Sequence, residues 1–221
     1  MFLFREVINM TMIDEEEIKC SLCGKISKQP VLLSSNQFGY QDLDLRPSEM
    51  YRSTINTWVL ECPHCGYVAT NLEDELTIDT DFLESEEYKT CNGIEFQSKL
   101  SEIFYKYYLI QTKKSDDVDS FFAILQCVWT CDDANDEENA KLTRQIAINI
   151  ADKIIESGNE RDNKFIVLKA DLLRRSGEFD QLIEEYENLT LGDELLDNII
   201  KFQVKKAYDK DNNCYTIEEV S

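Results

Sequence analysis

The sequence predicts an α+β fold in which a small β unit precedes an all-α unit. All three prolines, Pro30, Pro47 and Pro63, lie in the first 70 residues, as do two Cys-x-x-Cys-Gly turns. Such punctuation is typical of short strands and turns. From about residue 80 onward there is no proline, and apolar residues recur at three- and four-residue intervals, which indicates helices.

Two strands are predicted in the β unit. Ile26 and the run Val31-Leu32-Leu33 indicate the first, and residues 52–61 indicate the second because their apolar residues alternate. A polar loop over residues 34–50 separates them. We therefore expect four parts, which are an N-terminal extension over 1–15, a β unit over 16–80, a helical unit over 81–212 and a frayed tail over 213–221.

The helical unit is predicted to contain six helices. The acidic run at 132–138 closes one helix and supplies negative charge to the first turn of the next, where the helix dipole favours it. Gly177 separates two of the helices. The predicted helices lie near 94–112, 117–131, 137–157 and 193–208, with the remaining pair on either side of Gly177 within 165–189.

Charge excludes several classes of function. The 221 residues hold 23 Lys and Arg against 44 Asp and Glu, a net charge of −21. Residues 1–70 have six basic and nine acidic residues, so the second part of the chain carries −18. Such acidity disfavours binding to nucleic acid or to an anionic membrane, since both need clustered Lys and Arg. No secretory signal or membrane-spanning run is expected, so we expect a cytoplasmic protein.

The two Cys-x-x-Cys-Gly turns predict a metal site. Cys20 and Cys23 form one pair and Cys62 and Cys65 the other. Two thiolates from each turn complete a tetrahedral site, and the glycine after each pair accepts the positive φ of the turn. The expected cofactor is one structural Zn²⁺, held in a zinc ribbon. Four protein ligands leave no open position for water, so a catalytic zinc is not expected.

Two other readings of these cysteines stay open. Tetrahedral sulfur also suits a single iron that transfers electrons, as in a rubredoxin-like carrier. A redox-active dithiol is the other, although it does not explain why the motif occurs twice. His64, the single histidine, is expected to face solvent or to form a hydrogen bond nearby.

The loop between the cysteine pairs is a candidate recognition loop. In this reading Phe38 and Tyr40 are aromatic contacts and Arg46 is an anchoring cation. In the alternative, Arg46 pairs with Asp42 or Asp44, while Leu43, Leu45 and Trp58 fill the core of the ribbon. Asp42 and Asp44 resemble a paired-carboxylate site, but no nucleophile with a matching histidine and no phosphate-binding loop accompany them, so no catalytic residues are predicted.

The other cysteines have a simpler explanation. Cys127 and Cys131 lie one helical turn apart, and with Cys91 they are a conceivable second soft-metal site. Burial in the core is the favoured alternative, because free cysteine behaves as a small hydrophobe. Cys214 lies in the predicted tail and is treated as incidental.

Residues 165–189 resemble one tetratricopeptide unit. The similarity consists of small Ala170, the break at Gly177 and aromatic Phe179, followed by a second helix. Leu182 stands where the repeat prefers alanine. A degenerate preceding unit over 117–157 and a cap over 193–208 would complete the array, although a compact bundle describes the helices equally well.

Together, the motifs Cys20-x-x-Cys23-Gly24 and Cys62-Pro63-His64-Cys65-Gly66-Tyr67 and the trailing helices resemble an uncharacterised bacterial family of unknown function. That family has an N-terminal four-cysteine zinc ribbon and C-terminal tetratricopeptide-like helices. The resemblance implies that these four cysteines are zinc ligands and that the setting is the bacterial cytoplasm. It implies no activity.

Three functions follow as hypotheses. The first is a noncatalytic adaptor in which a zinc-stapled ribbon and a helical scaffold bind a protein or peptide. The second is a nucleic-acid or transcription-associated ribbon, for which Lys19, Lys25, Lys28, Arg46 and Arg52 supply the nearest basic residues. The third is the iron electron carrier.

Overall fold

The structure, a computed structural model, describes residues 11–114, 116–158 and 162–220, except for the side chain of Asp162. It divides the chain into two units. The ribbon unit comprises Met1–Tyr40 and Pro47–Glu75, and the helical unit comprises Gln41–Arg46 and Leu76–Ser221. Residues 41–46 thus belong to the helical unit, whereas the boundaries expected from the sequence placed them in the ribbon.

Two antiparallel hairpins build the ribbon unit. Strands β1 (Met12–Lys19) and β2 (Ile26–Ser34) pair from Ile13 opposite Leu32 to Lys19 opposite Ile26. Strands β3 (Leu60–Glu61) and β4 (Val68–Ala69) form the second hairpin. Each hairpin turn contains one cysteine pair.

The sequence prediction of these strands was partly wrong. The strand at Ile26–Ser34 is present, but its partner Met12–Lys19 overlaps the expected extension over 1–15. The acidic run 14–17 has low strand propensity, which hid this strand. Residues Arg52–Thr57 form a 3₁₀ helix, so only Leu60–Glu61 of the second predicted strand is extended.

The core of the ribbon unit lies around the second hairpin. Val59, Tyr67, Val68 and Leu72 are almost entirely buried there. Trp58 is half-buried, stacks on Tyr51 with ring centroids 4.9 Å apart, and donates its indole N–H to Thr54 Oγ1. The first hairpin contributes little to this core, because most side chains of β1 are exposed.

The helical unit consists of helices that pack largely on their neighbours in the chain. Helix α4 contacts α3 and α5, and α6 contacts α5, α7 and α8. The described helices are α1 (Asp81–Glu84), α2 (Glu86–Lys89), α3 (Lys99–Thr112), α4 (Asp117–Asp133), α5 (Glu137–Glu156), α6 (Asp162–Arg175), α7 (Phe179–Tyr186) and α8 (Glu194–Tyr208).

The six helices expected from periodicity are present within a few residues of their predicted bounds, and the α+β class is confirmed. Short helices α1 and α2 were not predicted. The core of the unit is aromatic and aliphatic, and Phe121 meets Phe165 edge to face at 5.1 Å. Among the described residues, no helix has both the length and the apolar character needed to cross a membrane.

The break between α6 and α7 lies at Gly177, as predicted. Gly177 has a φ of +79°, and the next amide, that of Glu178, donates to the Leu173 carbonyl at 2.9 Å. This bond satisfies an otherwise unpaired carbonyl at the end of α6. The chain can therefore reverse without leaving buried backbone groups unpaired.

The C-terminal segment differs from the frayed tail that the sequence predicted. Leu43 N donates to the Tyr215 carbonyl at 2.9 Å, and Ile217 N donates to the Gln41 carbonyl at 3.0 Å. Residues Ile217–Val220 form a 3₁₀ helix. We call residues 41–46 the inserted segment, because they belong to the helical unit although the ribbon unit precedes and follows them in the chain. These backbone bonds pair the inserted segment with residues far along the chain, so no local sequence pattern indicates them.

Asp136 caps α5 and accepts more hydrogen bonds than the other caps among the described residues. Its carboxylate accepts hydrogen bonds from Asn139 N at 3.4 Å, Asn139 Nδ2 at 2.7 Å and Gln97 N at 3.0 Å, and the residue is 2% exposed. Asp116 caps α4 in the same way but is exposed. We expect Asp136→Ala to lower the free energy of unfolding by about 2 kcal/mol, near the top of the range for caps, because buried donors lose their acceptor.

Asp136→Asn, which keeps one acceptor oxygen, should lose less stability than Asp136→Ala. Asp116→Ala is the matched control, with an expected loss of roughly 0.5–1 kcal/mol. Urea denaturation followed by far-UV circular dichroism measures all three. Equal losses for Asp136→Ala and Asp116→Ala would contradict the importance of burial.

Candidate metal centre

The sulfur atoms of Cys20, Cys23, Cys62 and Cys65 lie together at the tips of the two hairpins. All four are within 4.8 Å of one another. Cys20 Sγ is 3.8 Å from Cys65 Sγ, and Cys23 Sγ is 3.7 Å from Cys62 Sγ. These distances exclude disulfide bonds, which need about 2.05 Å. The four cysteines could hold a metal ion.

The two cysteine turns have the same backbone geometry. In the first, Gly24 N donates to the Cys20 carbonyl at 2.8 Å, and Cys20 N donates to the Lys25 carbonyl at 2.9 Å. In the second, Gly66 N donates to Cys62 and Cys62 N donates to Tyr67, at 2.9 and 2.8 Å. Gly24 and Gly66 have φ values of +70° and +73°. Both turns therefore need glycine at this position.

The geometry fits a tetrahedral thiolate site. With metal–sulfur bonds of about 2.3 Å, the edge of a regular tetrahedron is about 3.8 Å, which matches the two sulfur–sulfur distances above. Cys20 and Cys62 are buried, and Cys23 and Cys65 are partly exposed. The sulfurs thus surround a space of the right size for one four-coordinate ion.

The local environment acts differently on individual thiols. Burial raises the pKa of Cys20 and Cys65. The backbone N–H of Lys25 lowers the pKa of Cys23 to about 7. Since metal ions bind thiolates, a divalent ion at this cluster would displace protons from the thiols with raised pKa values. Its binding would therefore release protons and weaken as the pH falls.

His64 does not belong to the cysteine cluster. It is exposed, and its Nε2 lies 3.2 Å from the Ile26 carbonyl oxygen. The expectation that it would face solvent or form a nearby hydrogen bond is confirmed. Its ring links the turn of the second hairpin to β2 of the first.

The remaining cysteines do not form a second cluster. Within 11–114, 116–158 and 162–220, the only group of three or more potential ligands is the one described above. Cys91, Cys127 and Cys131 are buried, and Cys127 Sγ donates weakly to the Ser101 carbonyl at 3.5 Å. Core burial, the favoured alternative, describes them. Cys214 is exposed and donates to Asp42 Oδ2 at 3.2 Å.

The structure separates the residues of the candidate recognition loop. Phe38 and Tyr40, in the ribbon unit, are 51% and 53% exposed. Asp42, Asp44 and Arg46 are buried in the helical unit. The last three therefore cannot present a surface for recognition.

Asp44 and Arg46 take part in a network of ion pairs with the helices. Asp44 Oδ2 accepts hydrogen bonds from Arg175 Nη1 at 2.8 Å and from Trp129 Nε1 at 2.9 Å. Arg46 Nη2 donates to Asp133 Oδ2 at 2.5 Å. The alternative suggested by the sequence, a pairing of the Arg46 guanidinium with Asp42 or Asp44, is thus replaced by a pairing with a helical residue.

Asp132 joins the rest of this network. Arg175 Nη2 donates to Asp132 Oδ2 at 2.6 Å, and Arg144 Nη2 contacts both carboxylate oxygens at 2.5 and 2.7 Å. We call this set the ionic network, and its formal charges cancel because it has three members of each sign. Its members are Asp44, Asp132, Asp133, Arg46, Arg144 and Arg175.

The surroundings of Asp44 change the pKa of its carboxyl group. Complete burial raises the pKa of Asp44 to about 6, and Arg175 acts in the opposite direction. The native pKa exceeds the ordinary value of 3.8, so native Asp44 binds more protons than unfolded Asp44 between these values. Its contribution to stability is therefore present at low pH and declines as the pH rises from about 4 to about 6.

Sequence reasoning did not find Arg144, Arg175 or Asp132 as partners of residues 42–46. Arg175 and Asp44 are 131 positions apart. Nothing in local spacing links them. The one available signal was compositional, because an arginine is rarely buried unless it is paired, and Arg174 and Arg175 follow the apolar stripe of α6.

Removing Arg175 should destabilise the helical unit strongly. We expect Arg175→Leu to lower the free energy of unfolding by about 3–5 kcal/mol, because Asp44 and Asp132 lose a shared buried cation. Lys141→Leu is a control, since the Lys141–Glu178 pair is solvent-exposed and should contribute less than about 1 kcal/mol. Denaturation followed by far-UV circular dichroism reports the helices.

A second variant tests the cause of this loss. The double variant Arg175→Leu with Asp44→Asn should lose less unfolding free energy than the summed losses of the two single variants, because the two substitutions remove charges that interact with each other. Additive losses would show that Arg175 and Asp44 contribute independently to stability.

Comparison with models of known protein families returned no match for this chain. No curated protein and no solved structure matched it either. The supported description is a four-cysteine cluster that could hold a metal ion, in a chain whose described residues are mostly helical.

Proposed function

We propose that this protein is a noncatalytic zinc-binding adaptor, in which a structural Zn²⁺ staples the ribbon unit and the chain binds a protein or peptide partner. The observation that carries the metal assignment is the cluster of four cysteine sulfurs within 4.8 Å. We also propose that the helices are tetratricopeptide-like and that the chain is related to the bacterial family that it resembles.

Zinc is favoured by the donor set and by the small size of the unit that holds it. Four thiolates at tetrahedral spacing are typical of structural zinc. Each sheet of the ribbon unit has two strands, and an isolated two-stranded hairpin is at best marginally stable in water. A metal bound by both turns would hold the two hairpins together.

A noncatalytic role is favoured by the closed ligand set. Cys20, Cys23, Cys62 and Cys65 would fill all four positions of a tetrahedral ion, so no position remains for water or substrate. All eight cysteines are free thiols. Free thiols suit a reducing compartment, so we place the protein in the cytoplasm as part of the proposal.

The partner-binding role rests on two exposed aromatic side chains. Phe38 and Tyr40 are each about half exposed and flank Gly39, whose φ is +85°. Large exposed aromatic residues are common anchors in protein interfaces. The proposed recognition surface therefore consists of these two residues.

Metal analysis tests the first half of the proposal. Protein purified without added metal should contain one zinc per chain and should be colourless. Cys62→Ser should lose most of this zinc because three thiolates bind more weakly than four, and zinc retention should fall as the pH is lowered. Chelation should unfold the ribbon unit, as seen in the loss of near-UV circular dichroism from Trp58.

The matched control is Cys214→Ser, which removes an exposed thiol outside the cluster and should retain one zinc. Stoichiometric iron with strong visible absorption would support an electron carrier instead. Zinc content that is unchanged in Cys62→Ser would show that the cluster is not the site.

Partner capture tests the second half. We expect Phe38→Ser combined with Tyr40→Ser to lose a partner that wild-type protein retains, with zinc content unchanged. Leu142→Ser, which removes an exposed apolar side chain from α5, is the control and should retain the partner. The partner must also bind the wild-type protein when both are pure. If the aromatic variant and the wild type bind it equally well, the aromatic residues are not its docking site.

A further inference from the structure

The helical unit contains an apolar cavity that the proposed function does not use. Its volume is about 220 Å³. Helices α6 and α8 form part of the wall, and the inserted segment 41–46 forms another part. The main aliphatic lining residues are Leu43, Leu45, Val167, Leu168, Leu196 and Ile199.

The inserted segment turns alternate residues in different directions. Asp44 and Arg46 join the ionic network, whereas Leu43 and Leu45 line the cavity. Leu45 has a φ of +69°, a conformation that leucine rarely adopts. Its N–H donates to the Asp42 carbonyl at 2.9 Å, which closes a tight turn. Fixed charges on one side thus position aliphatic side chains on the other.

The C-terminal segment completes the wall of the cavity. Ile217 lines the cavity, and its N–H donates to the Gln41 carbonyl at 3.0 Å. Leu43 N donates to the Tyr215 carbonyl. These backbone bonds fix the position of the wall. The cavity is therefore preformed, which lowers the entropic cost of binding.

The size of the cavity limits the ligand. An apolar protein cavity of about 150 Å³ accommodates benzene, which has six carbon atoms. In proportion, 220 Å³ suits a ligand of roughly nine non-hydrogen atoms. This is smaller than most cofactors and larger than a single amino-acid side chain such as leucine.

The charge at the cavity favours an anionic head group. Lys164 lines the cavity near the N-terminus of α6, one helical turn before Val167 and Leu168. Its Nζ lies 4.4 Å from the centroid of the Phe122 ring, and no carboxylate among the described residues pairs with it.

Two acidic groups near the cavity have other partners. Asp42 lines the cavity, and its carboxylate accepts the thiol of Cys214 at 3.2 Å. Asp193 caps α8 by accepting a hydrogen bond from Leu196 N at 3.0 Å. The Cys214 thiol brings no compensating charge to Asp42, but Asp42 is only 4% exposed. Lys164 is an exposed cation of the lining, so an anionic head group at the solvent side of the cavity would meet its ammonium group.

We propose that this cavity binds a medium-chain aliphatic carboxylate, with the hydrocarbon chain between α6 and α8 and the carboxylate at Lys164. A chain of six to eight carbons matches the volume. The apolar wall binds the chain, and the ammonium of Lys164 selects an acid over an amine of equal length.

Titration of the full-length, zinc-loaded protein with sodium octanoate tests this proposal. We expect one octanoate per chain, with a Kd below about 1 mM. Affinity should rise from butanoate to octanoate and then level off. Methyl NMR should show the largest shifts at Val167, Leu168 and Ile199. Absence of saturable binding, or shifts centred elsewhere, would overturn the proposal.

Substitutions separate the roles of charge and cavity. Lys164→Met should weaken octanoate binding roughly two- to five-fold, as expected for loss of an exposed ion pair, and leave octanol binding unchanged. Lys201→Met, which removes an exposed lysine of α8 outside this cavity, should change neither. Leu196→Trp should abolish binding by filling the cavity, with the fold checked by circular dichroism. Tighter binding of octylamine than of octanoate would refute the role of Lys164.

Discussion

The helical unit depends on neutralising buried carboxylates in a strongly acidic chain. Asp44 is almost completely buried, and it keeps this position because Arg175 and Trp129 donate to it. Arg175 also serves Asp132, so one guanidinium links the inserted segment to the end of α4. Breaking such a pair leaves a buried charge without compensation, which costs far more than a surface pair contributes. The segment therefore has one stable position against the helices, although it is distant from them in sequence.

The ribbon unit is stabilised in a different way. Its sheets have two strands each, and most side chains of β1 are exposed, so apolar burial is concentrated around the second hairpin. The two cysteine turns repeat the same hydrogen bonds and the same glycine conformation. This repetition gives four sulfurs the spacing of a tetrahedral site. A metal ion there would link the two cysteine turns, which are far apart in the chain. The arginines link distant parts of the helical unit in the same way.

The inserted segment connects two properties of the helical unit that otherwise look unrelated. Its charged residues anchor it to the helices, and its leucines line a cavity together with Lys164, which pairs with no carboxylate among the described residues. The strained backbone of Leu45 is compatible with this arrangement because the residues on either side of it are held by hydrogen bonds. The proposed carboxylate site is thus a consequence of the ionic network, whereas the proposed adaptor role depends on Phe38 and Tyr40 in the other unit.

The sequence by itself determined the α+β class, the main helices and the four cysteines that form the cluster. Helical periodicity and the Cys-x-x-Cys-Gly turns are local patterns, so their meaning does not depend on distant residues. It did not reveal β1, because a strand of acidic residues is recognised only by its partner Ile26–Ser34. Only the tertiary structure decided that Asp44 and Arg46 belong to the helical unit, since that assignment depends on Arg175 and Asp133. Ion pairs between residues more than 80 positions apart cannot be predicted from local spacing. Because of these pairs, Asp44 and Arg46 are buried in the helical unit and are not part of a recognition loop.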